Sequence, residues 1–338
     1  MAGWDGMGGF SFTYNWTNDA ANNIDINAGR MDTQFANAVS GFDNCLTRDG
    51  QGSATANLPM NTFKFTGLGA GSASNDSVNY SQLTSATAGL TGFLSGLTLS
   101  TAGSSSTFGI AAGSAVDSTS ALFMNLPSAF TKTTGSFSSG TGNGALDAST
   151  IANSTWYHVF LIGAPGVSTD ILISLSPTSP TLPGGFTLFR RIGSMKTDSP
   201  SAHWILFTQR GNEFLWGVQT QDAANVVPAN SNAVLASLTV PSGIQVNALF
   251  IFNTGYNSTV DYWLITSPDQ TDTAPTPTSG TGIFTVFVVS TTSSIWLPLN
   301  IRTNTSSQIR LRASQAPGNP TSGYRLQTIG WVDTRGQG

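Results

Sequence analysis

Apolar residues along this chain change rhythm twice. Over Ile24–Leu46, Met31, Phe35, Val39, Phe42 and Leu46 recur at spacings of three and four, as one face of an α-helix would. Asn27 is placed to cap the start of this helix, and Asp49-Gly50 to end it. The stripe is narrow, closer to a coiled-coil seam than to the wide face of a helix lying on a globule. At roughly four turns such a helix is marginal alone, so it needs either partner copies or docking on its own domain.

From Thr47 to Leu83 the rhythm gives way to short extended segments. Pro59 breaks any helix there, and Gly67, Gly69 and Gly71 punctuate the end. Phe63 and Phe65 flank Lys64, so a strand at this point puts both rings on a packed face and the charge opposite. Residues 84–107 are rich in Ser, Thr, Gly and Ala, the composition of a flexible linker. Leu90, Phe93, Leu94, Leu97 and Leu99 are too apolar for a solvated tether, however. They predict a connector ordered by packing, with its hinge near Gly103–Ser106.

After Phe108 the second rhythm, period two, takes over. Ile171, Ile173 and Leu175 alternate with Asp170, Leu172 and Ser174; Ile309, Leu311 and Ala313 alternate with Gln308, Arg310 and Arg312. Val246–Phe252 and Phe284–Val289 are largely apolar runs, as for strands covered on both faces. Asn143-Gly144, Pro183-Gly184-Gly185 and Pro317-Gly318 supply turns between them. The expected fold is mostly β. A small helix-plus-extended module (1–82) and a connector (83–106) lead to a β-sandwich or jelly-roll-like domain (107–338). No internal repeat of β-helix or propeller length is visible.

Composition narrows the function classes. Charged residues make up 9% of the chain against a usual ~25%, while 39% are hydrophobic and the net charge is −4. Sparse charge leaves little electrostatic resistance to self-association. The acidic balance, without a basic patch, argues against nucleic acid. The single cysteine, Cys45, forms no intrachain disulfide. The apolar runs are far shorter than the roughly 20 residues that span a bilayer. MAGWDGMGGF lacks the basic and apolar regions of a secretory signal, so the expectation is a protein made in a cytoplasm, without membrane insertion.

Candidate chemistry is thin. A glycan hydrolase needs two facing carboxylates, and Glu213 is the one glutamate among scattered aspartates. The two histidines, His158 and His203, accompany no nucleophile elbow, and His158 reads as a hydrogen-bonded core residue. Asn23, Asp25 and Asn27 match only the opening of a calcium loop and read better as turn and cap residues. No catalytic residue, metal or cofactor is expected. Sugar binding remains open, because sugars stack on exposed aromatic rings. Trp156, Trp204, Trp216, Trp263, Trp296 and Trp331 fall in the β domain, most of them expected in its core. The segment GYNSTVDYW offers Tyr256 and Tyr262 as platforms with Asn257 and Asp261 as bonding groups; Arg310 and Arg312 form a second candidate receptor surface.

Residues 10–82 resemble the N-terminal region of tail fibre and tail spike proteins of tailed bacteriophages. The resemblance rests on Trp16, Ile24-Asp25-Ile26, Met31-Asp32, Phe35, Asn44-Cys45-Leu46 and Arg48-Asp49-Gly50. It continues through Asn57-Leu58-Pro59-Met60, Lys64 and Gly67-Leu68-Gly69. TWYHVFLI (155–162), TLFRRIGS (187–194), NEFLW (212–216) and IGWVDTRG (329–336) are similar, more loosely, to a distal β domain of phage virion proteins. The resemblance implies a virion protein, made as a homotrimer, whose N-terminal part docks on the particle and meets other tail or adaptor proteins. Met31, Phe35, Val39, Phe42 and Leu46 are then the expected trimer seam. Leu58, Met60, Phe63, Lys64 and Phe65 are the expected attachment residues, and the β domain would face host-surface glycan. A purely structural head fibre, collar or adaptor is the alternative, and a polysaccharide depolymerase is a weaker one.

Overall fold

The computed structural model describes residues 12–42, 54, 57–58, 60, 62–83, 90–148, 150–229, 231–255, 261–275, 285–288, 294–314 and 323–337. The chain is mostly β and divides into two compact units, Met1–Gly69 and Ala70–Gly338. The boundary falls at Gly69/Ala70 rather than at residue 82. Residues 71–82 close a loop on themselves: Gly71 N–H donates to Gln82 Oε1 at 2.9 Å, and Gln82 Nε2 donates back to the Gly71 carbonyl at 2.8 Å.

In the first unit, helix α1 (Trp16–Ala21) is capped by the Asn15 side chain, which accepts from Asn18 N–H. The sequence pattern had not marked this short helix. Helix α2 (Ala28–Phe42) starts where predicted, with Asn27 Oδ1 accepting from Arg30 N–H at 3.0 Å. The predicted stop at Asp49-Gly50 lies outside the described residues. The buried face of α2 is polar. Gln34 Oε1 accepts from Tyr14 N–H at 3.1 Å, and Asn37 Nδ2 donates to Thr13 Oγ1 at 2.7 Å. Arg30 pairs with Asp19 of α1 and stacks over the Tyr14 ring. The helix therefore docks on its own chain through amides, and its apolar stripe faces away.

The expected strand at Phe63-Lys64-Phe65 does not form, and both rings are exposed. Phe63 N–H closes a turn on the Met60 carbonyl, which leaves no extended partner for a ladder.

Among the described residues the second unit contains nineteen strands. The first seven are β1 (Leu94–Gly96), β2 (Leu99–Ser100), β3 (Thr107–Ile110), β4 (Gly113–Val116), β5 (Phe123–Leu126), β6 (Phe130–Ser136) and β7 (Gly144–Leu146). The middle ones are β8 (Trp156–Ala164), β9 (Val167–Ser174), β10 (Leu188–Lys196), β11 (Phe207–Arg210), β12 (Glu213–Val226) and β13 (Val234–Ser237). The last are β14 (Asn247–Gly255), β15 (Asp261–Thr266), β16 (Thr285–Val288), β17 (Ser294–Arg302), β18 (Gln308–Ala313) and β19 (Tyr324–Val332). They form a three-stranded sheet β1-β4-β5, a seven-stranded sheet β10-β8-β9-β7-β6-β3-β2, a five-stranded sheet β11-β12-β19-β14-β17 and a four-stranded sheet β13-β18-β15-β16. Pairing is antiparallel except where β7 joins β6 and β9.

The predicted connector is part of this fold. Leu94, Leu97 and Leu99 are buried in the main core. The expected hinge is pinned instead, because Trp204 N–H donates to the Ser105 carbonyl at 2.8 Å. A Cβ on Gly103 would come within 2.8 Å of Leu206 Cβ, so this glycine serves close approach as well as its positive φ of 76°. Apolar leucines outweigh the linker-like composition because each gains burial that a Ser/Gly tether cannot offer.

One continuous core joins the sheets. Phe214 stacks on Trp331 with centroids 5.0 Å apart, and Trp156 meets Trp331 edge-on at 5.4 Å, linking the five- and seven-stranded sheets. At the β10 bulge a Cβ on Gly193 would stand 2.6 Å from Leu99 Cδ1, so only glycine admits this closeness. Trp263 of the four-stranded sheet bridges to the five-stranded sheet through Phe252 and Tyr324.

Two strand expectations need correction. In β9, Leu172 and Asp170 are buried along with Ile171 and Ile173, because a small second cluster with Phe160 and Ile162 covers the other face. In β14, Ala248, Phe250 and Phe252 are buried while Leu249 and Ile251 are only half-buried, so the outward face is partly open there and closes again at buried Asn253. The β18 alternation is as predicted, with Ile309, Leu311 and Ala313 inward.

Candidate functional site

The outer face of the five-stranded sheet ends at an edge strand, β17. Trp296, Pro298, Asn300 and Arg302 point outward from it, while Leu299 and Ile301 turn into the core. Trp296 is 54% exposed. The tryptophans at 204, 216, 263 and 331 are buried, and Trp156 is half-buried. In register, Trp296 faces Asn253 of β14, which faces Arg325 of β19. Arg325 Nη1 donates to Asn253 Oδ1 at 3.0 Å, which ties the guanidinium to the strand between it and Trp296. A guanidinium carries five N–H donors, so this one bond leaves most of the fork for solvent or a ligand. A flat ring and planar donors on one sheet face are chemistry suited to a sugar: a C–H face to stack and hydroxyls to bond.

The end of the sheet that carries Trp296 is also where β14 runs into residues 256–260. Tyr256 and Asn257 lie outside the described residues. Asp261 and Tyr262 open β15 by backbone, and their side chains are likewise outside the description. Sequence reasoning named this segment and counted Trp296 only among rings expected mostly in the core. The signal for Trp296 was the period-two phase of SIWLPLN, where Trp296 and Asn300 share one face against Leu297, Leu299 and Ile301.

Arg310 and Arg312 have structural tasks. Arg310 donates to the Pro268 carbonyl at 3.0 Å and to that of Gln270; Arg312 donates to Ser231 O at 3.0 Å and pairs with Asp272 at 2.6 Å. Their guanidiniums hold the turn after β15, because the ladder places Thr266 opposite Arg310. This corrects the expectation of a free basic surface.

Of the expected seam, Phe35, Val39 and Phe42 are 62%, 58% and 73% exposed, Met31 is half-buried and Leu46 lies outside the described residues. Leu58, Phe63, Lys64 and Phe65 are exposed and Met60 is half-buried.

His158 Nδ1 lies 2.9 Å from Ser194 Oγ, superficially a base beside a nucleophile. Both are buried, and Asp333, the carboxylate whose charge acts on His158, is held bidentately by Arg191 at 2.5 and 2.7 Å. Burial, then the Arg191 charge, pushes the His158 pKa down to about 4. Asp333 and the Ser242 backbone offset this only in part. The folded protein thus holds a neutral imidazole while the unfolded chain takes up a proton below its ordinary 6.5. Stability is therefore expected to fall as pH drops from 6.5 toward 4, by up to about 3 kcal/mol from this group. Thermal unfolding of the wild type and His158→Gln across that range checks this, since the variant should have the shallower slope. Equal slopes would remove His158 from the account.

Glu213 opens β12 opposite Arg210 and, among the described residues, makes no ion pair. A concavity of about 530 Å³ lies over Asp170, Gly140 and Phe186. Its floor is closed, because buried Lys132 donates to Asp170 at 2.8 Å and to the Ser138 and Gly140 carbonyls, while Gly140 N–H donates to Asp170. Among the described residues no cluster of three or more His, Cys, Asp or Glu that could hold a metal is present.

Comparison with known proteins adds little. No protein-family model and no curated protein matches the chain. One solved structure, a chain from the crystal structure of the T13 IBDV viral particle, shares 11% identity over 71% of this chain and 69% of its own, with a TM-score of 0.19. A likeness this loose carries no conclusion about fold or function.

Proposed function

We propose that this chain is a non-enzymatic fibre or spike subunit of a bacteriophage virion, attached through its N-terminal unit and gripping host-surface glycan with its β domain. The observation that carries the adhesive part is Trp296, a large ring kept in solvent beside the fixed Arg325–Asn253 pair. An exposed indole on a face that also carries hydrogen-bonding groups offers a sugar both a stacking surface and polar partners. The resemblance of residues 10–82 to phage tail proteins supports the virion part. The test is competition: the intact chain should bind host cells and reduce phage adsorption, with Trp296→Ala as the control. A chain that does neither favours a structural place in a head fibre, collar or adaptor.

Self-association is part of the same proposal. The inward face of α2 is satisfied by amides, so Phe35, Val39 and Phe42 are free to form a seam between copies. Light scattering should give about three times the 35.2 kDa chain mass. Phe35→Asp with Val39→Asp should lower it toward one copy, because buried carboxylates without partners oppose association. A wild-type monomer at micromolar concentration would rule the seam out.

A further inference from the structure

Among the described residues the first unit has no apolar core of its own. The side chains it buries are polar, those of Asp19, Gln34 and Asn37, and the buried apolar residues of the chain begin only at Leu94. Tyr14, Trp16, Met31 and Met60 reach half-burial at most. The large apolar groups lie outside instead. To Phe35, Val39 and Phe42 of α2 are added Leu58, Phe63 and Phe65, with the last two rings 78% and 61% exposed, and Ile24 and Ile26 before the helix.

A unit built this way needs support from outside. It spans Met1–Gly69, a size at which natural domains add disulfides, a metal or further copies even to a well-packed core. Cys45 has no second cysteine in its chain to pair with. Among the described residues no cluster of His, Cys, Asp or Glu offers a metal site. The contacts that tie α2 to its own chain are polar: Gln34 with Tyr14, Asn37 with Thr13 and Arg30 with Asp19. Each replaces a bond to water, so their net gain is small beside the entropy of ordering the 15 residues of the helix.

Area brings in the segment after the helix. In a trimer each copy meets two neighbours, and a stable contact takes about 800 Å² from each side, roughly 57% of it apolar. Each copy must then offer about 900 Å² of apolar surface. At ~200 Å² for an aromatic side chain, the helical stripe supplies only about 350 Å² at its exposure. Ile24, Ile26, Leu58, Phe63 and Phe65 raise this to about 900 Å².

Charge tells which surface meets which. Asp32, Phe35, Val39 and Phe42 follow at spacings of three and four along one face of α2. Lys64 stands between Phe63 and Phe65. Asp32 and Lys64 are both exposed, and neither makes an ion pair among the described residues. One surface thus carries a carboxylate beside apolar groups and the other an ammonium beside apolar groups, a complementary pair within the same chain.

Resting on the trimer reading above, we infer that the first unit folds only in the assembly, with the Phe63-Lys64-Phe65 segment of one copy laid on the Asp32–Phe42 face of α2 in the next. The copies supply one another's core.

Hydrogen exchange on the full chain, with light scattering alongside, tests this. Opening of α2 then requires a copy to leave, so tenfold dilution of the trimer should speed its exchange about 5-fold by mass action, and leave β8 and β19 unchanged. Phe63→Ser with Phe65→Ser touches no buried group and no residue of α2, so a self-supporting unit would be indifferent to it. Here the mass should fall toward one copy, and α2 should exchange about tenfold faster or more at the same concentration. Lys64→Asp should weaken association about 3-fold, and adding Asp32→Lys should restore it. If α2 exchanges alike at every dilution and in the Phe63/Phe65 variant while the mass stays that of three copies, the unit holds itself and this inference falls with the seam intact. If Lys64→Asp costs nothing, or Asp32→Lys does not restore the loss, the segment does not lie on α2. A wild-type monomer at micromolar concentration overturns the inference and the seam together.

Discussion

Trp296→Ala should leave the fold intact and remove most host-surface binding. The ring is more than half exposed, so its loss opens no core cavity and thermal unfolding should stay within about 1 kcal/mol of the wild type. Binding is a different matter. An aromatic at the centre of a contact surface is worth about 2 kcal/mol or more, on the order of 30-fold per site. Where several copies are displayed together the loss compounds, because each weakened site also lowers the benefit of effective concentration. Cell-binding isotherms on the phage host would read both terms. If the wild type binds and the variant binds equally well, Trp296 is not the platform.

The second large effect concerns stability. Asp170→Ala should destabilise the β unit by about 3–5 kcal/mol, because it strands the Lys132 ammonium in a site with no solvent exposure. Gly140 N–H loses its acceptor as well. Against the usual 5–15 kcal/mol of a domain this is a major fraction. Denaturant unfolding measures it. The double variant Lys132→Met with Asp170→Leu should recover most of the loss, since two matched apolar groups need no partners. A drop below about 1 kcal/mol for Asp170→Ala would mean that water reaches the ammonium and the pair is not sealed.

The same pair shows what sequence reading misses. Asp170 precedes Ile171 in an alternating run, and alternation alone places it on a wet face. Its actual partner comes from β6, thirty-eight positions earlier, and no local pattern couples the two. The receptor arginines failed for a similar reason. Arg310 and Arg312 lie on the outward side of β18 as predicted, but the turn after β15 folds back over them and uses their donors. The connector was legible despite its serines and glycines, since its leucines predicted order by packing, and Leu94, Leu97 and Leu99 belong to the core.

Local rules were enough for other features. The period of Met31, Phe35, Val39 and Phe42 gave α2, and Asn27 gave its cap, because helix rhythm and capping involve residues within a turn of each other. Period-two alternation with glycine and proline turns gave a mostly β chain, for the same local reason.

Sequence by itself therefore determined the class of fold, the helix with its apolar stripe, and the sparse charge; that the stripe faces outward came from the structure. Tertiary structure decided which rings are core and which face water, because that depends on what each strand is laid against. Trp263 and Trp296 are alike in the sequence, but one lies between two sheets and the other on the last strand of a sheet. It also left the Thr266 hydroxyl at the end of β15 sealed without a hydrogen-bond partner among the described residues. An unpaired hydroxyl becomes visible only when its whole surroundings are in place.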